Sequence, residues 1–248
     1  MNKNSISIIT CTYNSGKTLQ RTLQSLKCGS NVNWEHIIVD GYSKDETCDI
    51  INSYKKNKNN VKLIKTESKG VYNALNCGID VAINEWTLFL HSDDELNIDI
   101  SEIEKILKTI LTSVACFSVQ IQFDLSIRKY RTNRFTNILR PPPHTGMVFR
   151  TSVLKKIKFD EDYKISGDYK QILTIKNIDD KSFTPVFKDL VIMSAGGLST
   201  KFKNLKMSLI EDRRVLKEMN VRFALFKVFI KKLIKIDQLR LRKYSNKK

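Results

Sequence analysis

Short apolar runs and helically spaced apolar positions alternate along the first part of this chain. Ser5–Cys11 reads SISIITC, a β-rich run that ends in the polar turn TYNSG. Behind it Leu19, Leu23 and Leu26 recur at helical spacing, with Ser15 placed to cap the start. His36–Val39 (HIIV) is a second strand, closed by the turn Asp40–Ser43, and Asp45–Tyr54 continues as a helix. Val61–Ile64 is a third strand. Val71, Leu75, Gly78, Ile79 and Ala82 then share one helical face. Trp86–Leu90 is a fourth strand that runs straight into HSDDE.

This alternation predicts a mostly parallel sheet covered by helices. In open α/β sheets a ligand sits beyond the carboxyl ends of the strands. Here those ends are polar: Thr12–Asn14, Asp40–Ser43, Lys69–Gly70 and Ser92–Glu95. Four polar clusters from separate parts of the sequence are thereby expected on one edge.

Beyond Asp99 the order changes. The pattern predicts a helix near Ile100–Leu111, and strand-like runs near Val114–Phe123 and Arg128–Phe135. A stiff turn follows at Pro141–His144, then a strand at Met147–Phe149, a helix at Gly167–Ile175 and a strand at Phe183–Met193. The reading is one domain over 1–200, divided into a first half (1–98) whose strand ends are polar and a second half (99–200) with a different order of elements.

Charge sets residues 201–248 apart. The chain of 248 residues carries a net charge of +17, yet 201–248 hold 16 Lys/Arg against 4 Asp/Glu. That segment is therefore +12, and the first 200 residues only +5. Within it, Leu225, Phe229, Leu233 and Ile236 fall on one helical face, and Lys227, Lys231, Lys235 and Arg242 on another. A basic amphipathic helix of this kind suits an anionic membrane interface. A helix packed on the domain is the plain alternative, and nucleic acid is the competing anionic partner. No motif of the usual nucleic-acid modules accompanies the charge, so none is expected to bind.

Five cysteines, without a C-x-x-C pair, argue against a disulfide framework or a zinc site. No run approaches the ~20 apolar residues of a spanning helix, and no signal peptide is visible. The expected location is cytoplasmic, peripheral on the inner face of the cell membrane.

The strand-end residues narrow the chemistry. Asp93 and Asp94 are adjacent carboxylates after a buried strand, hard donors for a divalent ion that also grips phosphate. Taken alone they read more readily as a solvated acidic turn capping the following helix. Asp40 offers an acceptor for a nucleoside ring N–H or a ribose hydroxyl, or simply forms a turn. Thr12, Tyr13 and Asn14 offer donors and an aromatic face. Lys69 stands where a helix opens.

These segments carry a resemblance. SIITCTYNSGKTLQRTLQSL, IIVDGYSKDET, SKGVYNALNCGI and WTLFLHSDDEL resemble, in order and spacing, the nucleotide-binding half of family 2 glycosyltransferases that build bacterial surface polysaccharides. The likeness is looser through PPPHTGMVFR and FDEDYKISGDYKQIL, and ends near Gly197. It implies a GT-A fold and an inverting, metal-dependent transfer of a sugar from a nucleotide-sugar donor to a glycan or lipid-linked acceptor. Thr12, Tyr13, Asn14 and Asp40 would hold the nucleoside, with Lys69 near it. Asp93 and Asp94 fall on the family's DXD-like motif. Asp94 would be the main ligand of Mg2+ or Mn2+, and Asp93 would lie against the ribose or the metal. Asp168, in ISGDY, matches the family's catalytic base at the start of a helix; Asp160, Glu161 and Asp162 are rival carboxylates in a charged turn. His144 would touch the diphosphate or the acceptor, or be packed. A nucleic-acid-binding protein and a catalytically inactive nucleotide-binding relative are the alternatives.

Overall fold

The computed structural model describes residues 2–29, 32–56, 58–67, 69–123, 126–130, 143–195 and 204–221. Four β-α steps open the chain: β1 (Asn2–Thr12), α1 (Gly16–Ser25), β2 (Trp34–Asp40), α2 (Thr47–Lys55), β3 (Val61–Lys65), α3 (Val71–Val81) and β4 (Asn84–Phe89). The remainder is β5 (Glu95–Leu96), α4 (Ile100–Leu107), β6 (Val114–Phe123), β7 (Ser126–Tyr130), β8 (Met147–Arg150), α5 (Thr151–Lys156), α6 (Gly167–Ile178), β9 (Phe183–Ser194) and α7 (Leu205–Glu218).

The strands form one sheet in the order β3-β2-β1-β4-β8-β6-β9-β5, with β7 paired to β6. β1 runs parallel to β2 and β4, and β2 parallel to β3. The direction reverses at β8, antiparallel to both β4 and β6, while β6 and β9 are parallel.

Side chains alternate across this sheet with the strand period of two. Ile9, Val39, Phe89, Cys116, Met147 and Phe149 pack on one face, against α3, α5, α6 and α7. Ile8, Trp86, Leu88, Ala115, Phe117 and Val148 pack on the other, against α4. Helix α3 lies so close to β1 that a Cβ at Gly78 would stand 2.6 Å from Ile9 Cγ2, so only glycine fits there.

The first four strands and three helices match the pattern reading, as does the mixed, mostly parallel character of the sheet. Three elements were not foreseen. Glu95–Leu96 leave the HSDDE turn to pair with β9. Thr151–Lys156 form a short helix directly after β8. Leu205–Glu218 form a helix inside the segment read as a tail, and Val215 and Leu216 are buried in the core shared with α6. The helix expected to reach Leu111 ends at Leu107. The amphipathic stretch from Leu225 to Arg242 lies outside the described residues, as do 131–142, which include most of the proline turn.

Candidate active site at the strand edge

The carboxyl ends of β1, β2 and β4 meet as expected. Thr12 is paired with Asp40 in the parallel register, and the Gly41 N–H donates to the Thr12 carbonyl at 2.9 Å. The Asn14 N–H donates to Ser43 Oγ at 2.9 Å, and Asn14 Oδ1 accepts from the Lys44 N–H at 2.8 Å. Ser15 and Ser92 hydroxyls lie 2.9 Å apart, tying the β1 turn to the turn that carries the acidic pair.

Asp40 is fully buried. Its Oδ1 accepts from Ser43 Oγ at 2.5 Å and its Oδ2 from the Ser43 N–H at 3.1 Å. The carboxylate thus builds the turn after β2. That turn holds Tyr42 at φ 60°, a left-handed conformation uncommon for an aromatic residue. Tyr13 and Tyr42 are both more than half exposed at this edge. Lys69 lies on the surface between β3 and α3, paired with Glu67 at 3.2 Å.

The acidic pair is held from three sides. Asp94 is 3 % exposed. Its Oδ1 accepts from the Ser194 N–H at 3.1 Å, and its Oδ2 is buried with no hydrogen-bond partner. The Asp93 carbonyl accepts from Ser194 Oγ at 2.5 Å and from Arg21 at 3.1 Å, and Arg21 also pairs with Glu95 at 2.8 Å. Burial pushes the Asp94 carboxyl up to about 6, with His91 lowering it and the Asp93 charge raising it.

A buried carboxylate oxygen without a partner is costly unless another group completes it. A divalent cation does so, and two adjacent carboxylates are a hard-oxygen donor set of the kind Mg2+ and Mn2+ take. Among the described residues no group of three His, Cys, Asp or Glu forms a complete cage. An ion here would complete its shell with phosphate oxygens and water, as Mg2+ commonly does.

His144 is buried, stacked on Phe89 at 4.6 Å between centroids, with Phe149 and Phe159 close by. Its Nε2 has no partner, and burial, helped by His91, lowers its pKa to about 3, so it is neutral. The ring is packed. The His91 ring lies 6.4 Å away, two residues before the acidic pair.

Asp168 occupies the first turn of α6. Its Oδ1 accepts from the Tyr169 N–H at 2.7 Å and from the Tyr72 hydroxyl at 3.4 Å. Tyr72 in turn accepts from the Gly167 N–H at 2.9 Å. Of the rivals, Glu161 is taken by α3, accepting from Asn73 and Asn76 at 2.8 Å each, and Asp160 pairs with Lys170 at 2.6 Å. Asp162 is exposed. An aspartate at position 73 would lose that bond and repel Glu161.

Arg21, Tyr72 and Ser194 escaped the sequence reading. Tyr72 stands within the SKGVYNAL run, a local signal. Ser194 reaches Asp94 across 100 positions, and no sequence spacing marks such a contact.

A mixed, mostly parallel sheet flanked by helices, with an acidic pair beyond β4, defines a GT-A glycosyltransferase fold. The glycosyl transferase family 2 model matches residues 7–168, and the chain belongs to that family. The PGL/p-HBAD biosynthesis glycosyltransferase of Mycobacterium tuberculosis is 40 % identical over 91 residues, 36 % of this chain and 36 % of the relative. The UDP-Glc:alpha-D-GlcNAc-diphosphoundecaprenol beta-1,3-glucosyltransferase WfaP of Escherichia coli is 38 % identical over 90 residues, 36 % of this chain and 35 % of the relative. The matches thus span about a third of these curated relatives.

Among solved structures, S. aureus TarS 1-349 in complex with UDP-GlcNAc superposes with a TM-score of 0.68 at 22 % identity, covering 86 % of this chain and 66 % of TarS 1-349. Glucosyl-3-phosphoglycerate synthase of M. tuberculosis, with Mn2+, UDP and product, gives 0.62 at 12 % identity, covering 88 % and 80 %. At these identities the likeness establishes the fold. No helix among the described residues is long and apolar enough to cross a membrane.

Proposed function

We propose that this protein transfers a sugar, with inversion, from a nucleoside-diphosphate sugar to a glycan or lipid-linked acceptor during assembly of a bacterial surface polysaccharide. The observation that carries this reading is the buried, unpartnered Asp94 Oδ2 on a turn hydrogen-bonded to the Thr12–Ser15 edge. WfaP supports a UDP-sugar donor and a lipid-diphosphate acceptor, and the solved relatives support a uridine nucleotide with Mn2+.

In this reading Thr12, Tyr13 and Asn14 bind the nucleoside, Tyr13 through its exposed ring. Asp40 acts through the turn it builds, presenting Ser43 and the backbone beside it. Lys69 offers a surface positive charge to the nucleotide phosphates. Asp94, with Asp93, would hold Mg2+ or Mn2+, which when bound would supply positive charge to the diphosphate leaving group. His144 walls the site as a neutral ring.

Asp168 takes the proton from the acceptor hydroxyl while the acceptor oxygen bonds to the anomeric carbon. The bond from that carbon to the diphosphate breaks on the opposite face, and the nucleoside diphosphate leaves with the electron pair. One carboxylate base therefore suffices. The basic segment after α7, residues 222–248, is proposed to bring the enzyme to an anionic membrane surface.

The test is a panel of nucleotide sugars with Mn2+, read first by thermal shift and then by release of nucleoside diphosphate. One UDP-sugar should raise the melting temperature and turn over. A protein that binds RNA or DNA in a salt-sensitive way, and no member of the panel, would refute the proposal.

A further inference from the structure

We infer that α7 is a clamp that positions Asp168, and that Glu211 is its positioning residue; this rests on the reading of Asp168 as the base. Residues 164–166 lead directly into α6 with no ladder of their own. Their three backbone N–H groups would go unpaired without a partner from elsewhere. Glu211 supplies it. Its Oε1 accepts from the Lys164 N–H at 2.9 Å, and its Oε2 from the Ile165 and Ser166 N–H groups at 2.9 and 2.8 Å. Asp212 adds a fourth bond, accepting from Ser166 Oγ at 2.9 Å. Ser166 stands at the N-cap of α6 yet makes no capping bond, because its hydroxyl is turned to α7.

Both carboxylates are nearly fully buried, and α7 is anchored beneath them by Val215 and Leu216. The other end of the loop is held as well. Lys170 bridges Asp160 and Glu218, each at 2.6 Å, and Arg214 lies over the Tyr163 ring at 4.6 Å. The Glu211 grip therefore falls on the backbone two to four residues before Asp168, and the Asp212 bond adds the Ser166 side chain to it. Tyr72 holds the next residue, through the Gly167 N–H. The acidic turn has a comparable brace in Ser194, but the Asp168 loop is braced by a helix beyond the family match, which ends at 168. A base displaced by about 1 Å loses on the order of 100-fold in rate, so a brace of this kind bears on turnover more than on substrate binding.

Glu211→Gln keeps the shape but turns one acceptor into a donor facing N–H groups. Ser166→Ala removes the Asp212 bond alone and serves if the first variant folds poorly. Leu107→Ala, in the opposite core, is the control for general destabilisation. Hydrolysis of UDP-glucose and UDP-GlcNAc with Mn2+, water acting as acceptor, is measured beside UDP affinity and amide exchange at Gly167 and Tyr169. Glu211→Gln should lower kcat by at least about tenfold with UDP affinity within about twofold of wild type, and should speed exchange at those two amides. Ser166→Ala should do the same to a lesser degree, and Leu107→Ala should do neither. Faster exchange at 164–166 with unchanged exchange at Gly167 and Tyr169, or with wild-type kcat, would overturn the clamp. Wild-type kcat in Asp168→Asn would instead overturn the assignment of the base.

Discussion

The Tyr72 hydroxyl accepts from the Gly167 N–H at 2.9 Å and donates to Asp168 Oδ1 at 3.4 Å. One side chain from α3 thereby fixes the start of the helix that carries the candidate base. Burial pushes the Tyr72 hydroxyl well above the usual tyrosine range, with the Asp168 charge adding to it, so it remains a neutral donor. Tyr72→Phe should cost ~1–3 kcal/mol, because a buried N–H loses its acceptor. Urea unfolding reads the stability, and UDP release should fall with it.

Gly167 is constrained by the same ring. A Cβ there would stand 2.7–2.9 Å from three Tyr72 ring atoms. Gly167→Ala should destabilise by ~1–3 kcal/mol through overpacking. Combined with Tyr72→Ala, which opens the space, the alanine at 167 should add far less. Additive costs in that double-mutant cycle would contradict the contact.

Asp94 gives a pH dependence with a definite sign. Its folded-state value, about 6, lies above the ordinary 3.8, chiefly through burial. The metal-free folded protein therefore favours the protonated acid. That contribution is fully present below the ordinary value and is lost as pH rises through about 6. At pH 7 the ionised, buried group costs on the order of 3 kcal/mol. Asp94→Asn should melt higher than wild type at pH 7 without metal and level with it near pH 4. Adding Mn2+ and UDP should reverse the order at pH 7, as bound ligand stabilises only the protein that holds it.

The buried place of α7 changes how the basic segment is tested. A deletion beginning at Lys203 would remove Val215 and Leu216 from the core and leave the Glu211 partners unpaired, so it should unfold the domain. A deletion of Arg222–Lys248 spares every described contact of α7. That shorter form should keep wild-type melting and turnover of a soluble donor, and should lose binding to anionic phospholipid vesicles. Undiminished vesicle binding would remove the membrane role from the segment.

Much of the fold was legible because its determinants are local. Ile37, Ile38 and Val39 in one run, or Leu19 and Leu23 at helical spacing, announce their elements without knowledge of the rest. The convergence of Thr12, Asp40 and the acidic pair followed from sheet topology alone. What stayed hidden depends on distant partners. Glu95–Leu96 is a strand only because Val191 and Ile192 lie beside it. Glu211 looks like any surface glutamate of a basic segment until the loop at 164–166 folds over it. The net charge of residues 201–248 concealed a core helix, since composition averages over positions and burial does not.

The central claim is that a nucleotide and a cation meet between Thr12 and the acidic pair. Calorimetric titration with UDP, with and without Mn2+, on wild type and Asp94→Ala tests it most directly. Mn2+ should tighten UDP binding to the wild-type protein by at least about tenfold, ~1.4 kcal/mol, and should do nothing for the variant. Equal UDP affinity in all four titrations, or Mn2+ enhancement that survives in Asp94→Ala, would contradict it.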